Sequence, residues 1–204
     1  MKIKRLQMGP ILANGYVIYQ KKGGACLIID PGYRPGEYVK FLQEMELTPQ
    51  AILATHLHDD HVGAAVALRD HFDIPICMHE MDALVWRGPV DDRFRGDAVF
   101  DLEGERISVL ETPGHTKGSV CFMAERSRNC FSGDTLFDTD LGRTDLPGGS
   151  EDDMRHSVRD VLDKLDNSWH IWPGHEGDCT MRFVREHNEE FRALRDGKER
   201  SLLW

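Results

Sequence analysis

The chain has 204 residues, 40% hydrophobic and 29% charged, which supplies enough apolar material for a core and gives no sign of disorder. Its formal net charge of −10 argues against a nucleic-acid partner. The sequence shows no signal-peptide pattern and no apolar run long enough to span a membrane, and its five cysteines are odd in number and irregularly spaced, so a cytoplasmic protein with reduced thiols and no membrane partner is expected.

In chain order, the first segments read as strands: IKRLQM, GYVIYQ and ACLIID, separated by the turn signals GPILAN and KKGG. A stop at PGYRPG precedes GEYVKFLQEME, whose Val39, Phe41, Leu42 and Met45 recur at helical spacing. AILAT, residues 51–55, is a continuous apolar run of the kind buried on both sheet faces. VGAAVALRDHF then reads as a helix and IPICMH as the next strand. Residues 86–104 are polar and broken by glycine and proline, which predicts a surface loop. RISVLET, SVCFMAE and NCFSG restore strands, and SEDDMRHSVRDVLDKL reads as a helix with Ser150 as its N-cap. HIWPG is the last strand, and MRFVREHNEEFRALRDG a closing amphipathic helix. The order predicts an α/β protein, two sheets packed together and covered by helices, as a single domain over residues 1–204.

Between two apolar runs, HLHDDH places His56, His58, Asp59, Asp60 and His61 within six positions. Further ionisable residues recur just after predicted strands: Asp30 in IIDPG, His115 in TPGHTKGS, Asp134 in FSGDTLF and His175 in WPGHEGD. Loops at strand ends are where α/β folds keep their sites. Such crowding is tolerable if cations lie between the groups, because a bound metal keeps imidazoles neutral and carboxylates ionised. His56, His58 and His115 could form one three-histidine site that suits zinc with an open position. Asp60, His61 and His175 could form a second, with Asp134 bridging two metals that share one hydroxide. His71, His79, His156, His170 and His187 are read as structural, and Asp59 as solvated or a helix cap.

THLHDDH resembles the H-x-H-x-D-H signature of the metallo-β-lactamase superfamily, and IIDPG, TPGHT, SGDTLF and PGH resemble its other motifs in order. GRTDLPGGS, residues 142–150, is similar to the short glyoxalase II-like hydrolases. The resemblance implies an αββα sandwich with metals at its rim and Asp30 as a support for the histidine loop rather than a ligand. It also implies a C-terminal helical domain that grips glutathione, which is expected to be absent or replaced here. Lys117 and Glu176 depart from the family's usual residues. Lys117 and Arg143 are the candidate substrate contacts, with an Arg143–Asp145 ion pair the favoured structural reading for Arg143.

Two divalent cations are therefore expected, zinc foremost, with iron or manganese acceptable to the same donors. The activity expected first is glyoxalase II-type hydrolysis of a small thiol's hydroxyacyl thioester, with Asp60 as both ligand and orienter of the nucleophile. A thiolate leaves without a strong general acid, because a thiol pKa lies near ~8.5. The alternatives are a mononuclear iron persulfide dioxygenase built on His56, His115 and Asp134, and a lactone, β-lactam or phosphodiester hydrolase. The cleft is either open or completed by a second copy in a homo-oligomer, and the 86–104 loop and terminal SLLW are candidate lids or contact surfaces.

Overall fold

The computed structural model describes residues 1–200; SLLW lies outside the described residues. Strands β1 (Lys2–Met8), β2 (Ala13–Tyr19), β3 (Ala25–Ile29), β4 (Thr48–Ala54), β5 (Ile76–His79) and β6 (Asp92–Phe94) form one sheet in that order. Its first two pairings are antiparallel and its last three parallel. The second sheet runs consecutively through β7 (Val99–Leu102), β8 (Glu105–Glu111), β9 (Val120–Ala124), β10 (Asn129–Gly133), β11 (His170–Pro173) and β12 (Cys179–Thr180). Only β10 and β11 pair in parallel there. The helices are α1 (Pro35–Glu44), α2 (Asp59–Val62), α3 (Ala65–Phe72), α4 (Glu80–Ala83), α5 (Glu151–His156), α6 (Met181–His187) and α7 (Glu189–Arg195).

Strand alternation assigns each face a partner. Tyr16, Ile18, Leu27, Ile29 and Leu53 meet Ile107, Phe122 and Phe131 between the sheets. Val17, Tyr19, Cys26, Ile28 and Ile52 face the other way, under Tyr38 and Leu42 of α1 and Leu68 of α3. On the far side, Cys121, Met123, Cys130 and Ile171 pack on Met154, Val158, Met181, Val184, Phe191 and Leu194. The result is the αββα order expected, and burial of both faces explains the unbroken apolar runs of β2 and β4. Each fully buried Leu, Ile or Phe contributes about 1.5–3 kcal/mol, so these layers dominate the stabilisation. All five thiols are unpaired.

Several expectations needed correction. The 86–104 segment contains β6 and β7, with Phe94 and Leu102 buried, and so supplies an edge strand to each sheet. Three- and four-residue strands are too short to show a period, so only their neighbours select them. The helix expected over 150–165 stays α-helical only to His156, then widens into a π-type segment over Ser157–Val161 and tightens into a 3-10 turn over Leu162–Lys164. Its Ser150 cap is present, accepting from the Asp153 amide at 3.2 Å. The closing helix breaks at buried Asn188, whose extended ψ of 104° ends α6 and whose Oδ1 caps α7 through the Phe191 amide at 2.7 Å. A break also falls at Gly63–Ala64, which separates α2 from α3.

Candidate metal centre

Each member of the predicted donor set lies just beyond the C-terminal end of a strand. His56, His58, Asp60 and His61 follow β4, His115 follows β8, Asp134 follows β10 and His175 follows β11. The fold brings the ligand atoms of His56, His58 and His115 within 4.8 Å of one another, and does the same for Asp60, His61, Asp134 and His175. Asp134 faces both groups. Its Oδ1 is 3.2 Å from His61 Nε2, while Oδ2 lies 3.5 Å from His175 Nε2, 3.6 Å from His115 Nε2 and 4.0 Å from His56 Nε2. Asp60 Oδ2 sits 3.1 Å from both His61 Nε2 and His175 Nε2.

For His56, His115 and His175 the back of the ring settles which nitrogen is available inside. Asp30 accepts from the Thr55 amide at 2.7 Å and from the Thr55 hydroxyl at 2.6 Å. That hydroxyl has thereby donated its proton, so it accepts from His56 Nδ1 at 3.0 Å, leaving Nε2 unprotonated. His115 Nδ1 donates to the Arg143 carbonyl at 2.7 Å and His175 Nδ1 to the Ile11 carbonyl at 3.1 Å. His61 Nδ1 faces Asp30 Oδ2 at 3.3 Å, without hydrogen-bond geometry. Metal-binding histidines are oriented in this way, one ring nitrogen held by a protein acceptor and the other aimed inward. Buried His56 Nε2 and Asp134 Oδ1 have no hydrogen-bond partner at all, a costly arrangement that a cation would relieve. The donor set therefore fits two divalent cations.

The metallo-beta-lactamase superfamily model matches residues 8–175. The chain belongs to the metallo-beta-lactamase superfamily. Over 92% of its length it is 34% identical to the probable metallo-hydrolase YqgX of Bacillus subtilis, covering 96% of that protein. Over 89% it is 32% identical to the hydroxyacylglutathione hydrolase GloC of Haemophilus influenzae, covering 93% of that protein. Among solved structures, the BLEG-1 B3 metallo-beta-lactamase superposes with a TM-score of 0.84 at 31% identity, over 93% of this chain and 99% of that one. TTHA1623 in a di-iron-bound form gives 0.79 at 30% identity, over 91% and 98%. The fold is that of the superfamily, and the chain is a metallo-hydrolase.

Charge divides this superfamily site unevenly. Burial pushes the His56 imidazole well below its usual range, aided by His61, and burial also lowers His58, aided by His115. For His61 burial acts downward too, but Asp134, Asp30 and Asp60 outweigh it and hold the ring well above the usual value. Burial is likewise overcome at His175, which Asp134 and Asp60 raise to about 9. At Asp60 the upward push of burial loses to His175 and His61, and at Asp134 it loses to His61 and His175, so both carboxyls fall far below the ordinary range. Glu176 is pushed up to about 7 by burial and by Asp138 and Asp140.

The remaining expectations resolve by contact. Arg143 pairs with Asp145 through two 2.7 Å hydrogen bonds, and the residue borders a cleft of about 220 Å³ beside His115, Asp134 and His175. Lys117 is paired with Asp153 at 2.5 Å. His79, His156 and His170 hydrogen-bond to Glu111, Asp160 and Asp178, outside the two donor groups.

Two supports escaped the sequence reading. Buried Asp82 accepts from the Leu57 amide at 2.9 Å, the Thr116 hydroxyl at 2.8 Å and the Gly118 amide at 2.7 Å, tying the loop of His56 and His58 to that of His115. Buried Asn14 donates to the Pro173 and Glu176 carbonyls, each at 3.0 Å, and thus brackets His175. Asp82 lies in a short acidic segment, HEMDA, and nothing local distinguishes it from a solvated helix start. No helix among the described residues is long and apolar enough to cross a membrane.

Proposed function

We propose that the chain is a binuclear thioesterase of glyoxalase II type, acting on a hydroxyacyl thioester of a small thiol. The observation that carries this reading is Asp134, placed within 4.0 Å of four imidazole nitrogens drawn from both donor groups. His56, His58 and His115 would hold one cation, Asp60, His61 and His175 the other, with Asp134 between them. Zinc is the first choice, and iron is supported by the di-iron form of TTHA1623. When bound, the metals polarise a carbonyl and make water nucleophilic near neutral pH.

The chain's own residues then have distinct tasks. Asp60 and Asp134 offset part of the cations' charge and orient the attacking water. The Arg143 carbonyl and Thr55 hydroxyl keep His115 and His56 in the tautomer that presents Nε2. The seven donors are committed to the cations, and Asp140 and Glu176 are the acidic groups that border the cleft beside them. A thiolate, which departs as an anion near neutral pH, needs a proton from neither, unlike an amine or alkoxide. The likeness to the hydroxyacylglutathione hydrolase GloC supports the same reading.

The test is metal content per chain, paired with hydrolysis of S-lactoylglutathione. Two metals with turnover are expected. One iron per chain, no hydrolysis and oxygen uptake with glutathione persulfide would replace the reading with the dioxygenase. Efficient nitrocefin hydrolysis without thioester turnover would replace it with a β-lactamase, the activity named for BLEG-1.

A further inference from the structure

The strap of residues 137–144 runs between Asp134 and α5 and forms one wall of the metal cleft through Phe137, Leu141 and Arg143. It is not a regular element, yet it is fastened almost residue by residue to the C-terminal segment. Asn188 Nδ2 donates to the Phe137 carbonyl at 3.3 Å and the Asp140 carbonyl at 2.7 Å. Glu190 Oε2 accepts from the Leu141 amide at 3.1 Å. Arg200 Nη1 donates to the Gly142 carbonyl at 3.1 Å and to Glu190 at 3.0 Å, and Nη2 to the Thr144 hydroxyl at 3.0 Å. The Arg200 side chain is fully buried, and its Nε bonds Glu151 at 3.0 Å.

The strap also reaches the metal centre. A Cβ at Gly142 would lie 1.7 Å from the Asp134 carbonyl oxygen and 3.3 Å from His115 Cβ, so only glycine permits this approach. The next residue, Arg143, supplies the carbonyl that holds His115 Nδ1. We infer that Asn188, Glu190 and Arg200 form a clasp, with Arg200 as its central positioning residue, that sets the strap and through the Arg143 carbonyl sets the His115 imidazole in the three-histidine group. This rests on the metal-centre reading. Its physical basis is that a buried guanidinium with fixed, planar donors can hold two carboxylates and two strap residues in one geometry. A lysine cannot reproduce that arrangement. The clasp also gives a task to the GRTDLPGGS stretch, whose first three residues each contribute a contact.

The experiment compares Arg200→Met, Arg200→Lys and Arg185→Met in the full chain. Arg185 makes a comparable set of bonds to Asp163, Leu165 and Asn167, away from the centre, and serves as the stability control. Zinc affinity of the metal-free proteins is read by chelator competition, backbone hydrogen exchange over 137–144 by mass spectrometry, and Tm alongside. Arg200→Met is expected to weaken zinc binding about tenfold and to speed exchange across the strap. Arg185→Met is expected to lower Tm without either change. Arg200→Lys should recover Tm more fully than zinc affinity, because it restores charge but not the fork. If Arg200→Met does not fold, Thr144→Val removes the hydroxyl that accepts from Arg200 and donates to Glu151, and should show the same pattern more weakly. Wild-type zinc affinity and strap exchange in the Arg200 and Thr144 variants would overturn the clasp. Wild-type protein that binds no zinc would instead overturn the metal-centre reading, and strap exchange would still decide the clasp.

Discussion

The two donor groups share a rim, share Asp134 and differ in kind. The group of His56, His58 and His115 holds no carboxylate of its own, and burial keeps His56 and His58 neutral. The group of Asp60, His61, Asp134 and His175 is, without metal, a half-buried ion-pair network in which protons on the imidazoles stand where a cation would. One half is thus ready to ligate, whereas the other must release protons first. Crowding of imidazoles costs desolvation in the first half and is offset by opposite charge in the second.

The largest effect that would break this division is at the shared residue. Asp134→Ala should abolish occupancy of both positions and cut turnover by more than about a hundredfold, since it removes a donor rather than a support. Two metals and full activity in that variant would end the bridging assignment. Supports should separate the halves. A Cβ at Gly174 would lie 2.1 Å from Asp134 Oδ1 and 2.7 Å from His61 Cε1, so Gly174→Ala should empty the carboxylate-bearing half first, as metal titration would show. Asp82→Asn should act on the loops of the three-histidine half, costing about 2–3 kcal/mol in denaturant unfolding, because a charged acceptor of three hydrogen bonds is replaced by an amide. Equal metal loss from both halves in both variants would show that the halves are not independently supported.

The smallest effect is a pH dependence of the metal-free protein. The His175 imidazole is raised from its ordinary value to about 9, so folding favours its protonated form. The stability this contributes is fully present below the unfolded value near ~6.5 and is lost as pH rises through about 9. Chemical denaturation of metal-free protein should show that decline, and His175→Gln should flatten it. An unchanged slope would mean that the carboxylate-bearing half is not an ion-pair network.

Much of this was legible along the chain. His56, His58, Asp60 and His61 stand within six residues, and His115, Asp134 and His175 each follow a glycine after an apolar run, so donors and strands announce one another. The alternation of Tyr16 and Ile18 against Val17 and Tyr19 is hidden in a run apolar on both faces, yet that continuity itself marks a strand covered on both sides. The supports were not legible. Asp82 contacts residues 25 to 36 positions away, Asn14 reaches across 159 and 162, and Arg200 across 56 and 58.

The sequence by itself determined the chemistry: which side chains can ligate, and that they sit at strand ends, because ligand type and hydrophobic period are local properties. Only the tertiary structure decided which nitrogen of each histidine faces inward, that β6 and β7 close the two sheets, and that a C-terminal arginine holds the strap beside His115. Those outcomes depend on hydrogen bonds between segments far apart in the chain, and such bonds leave no periodicity for a linear reading to detect.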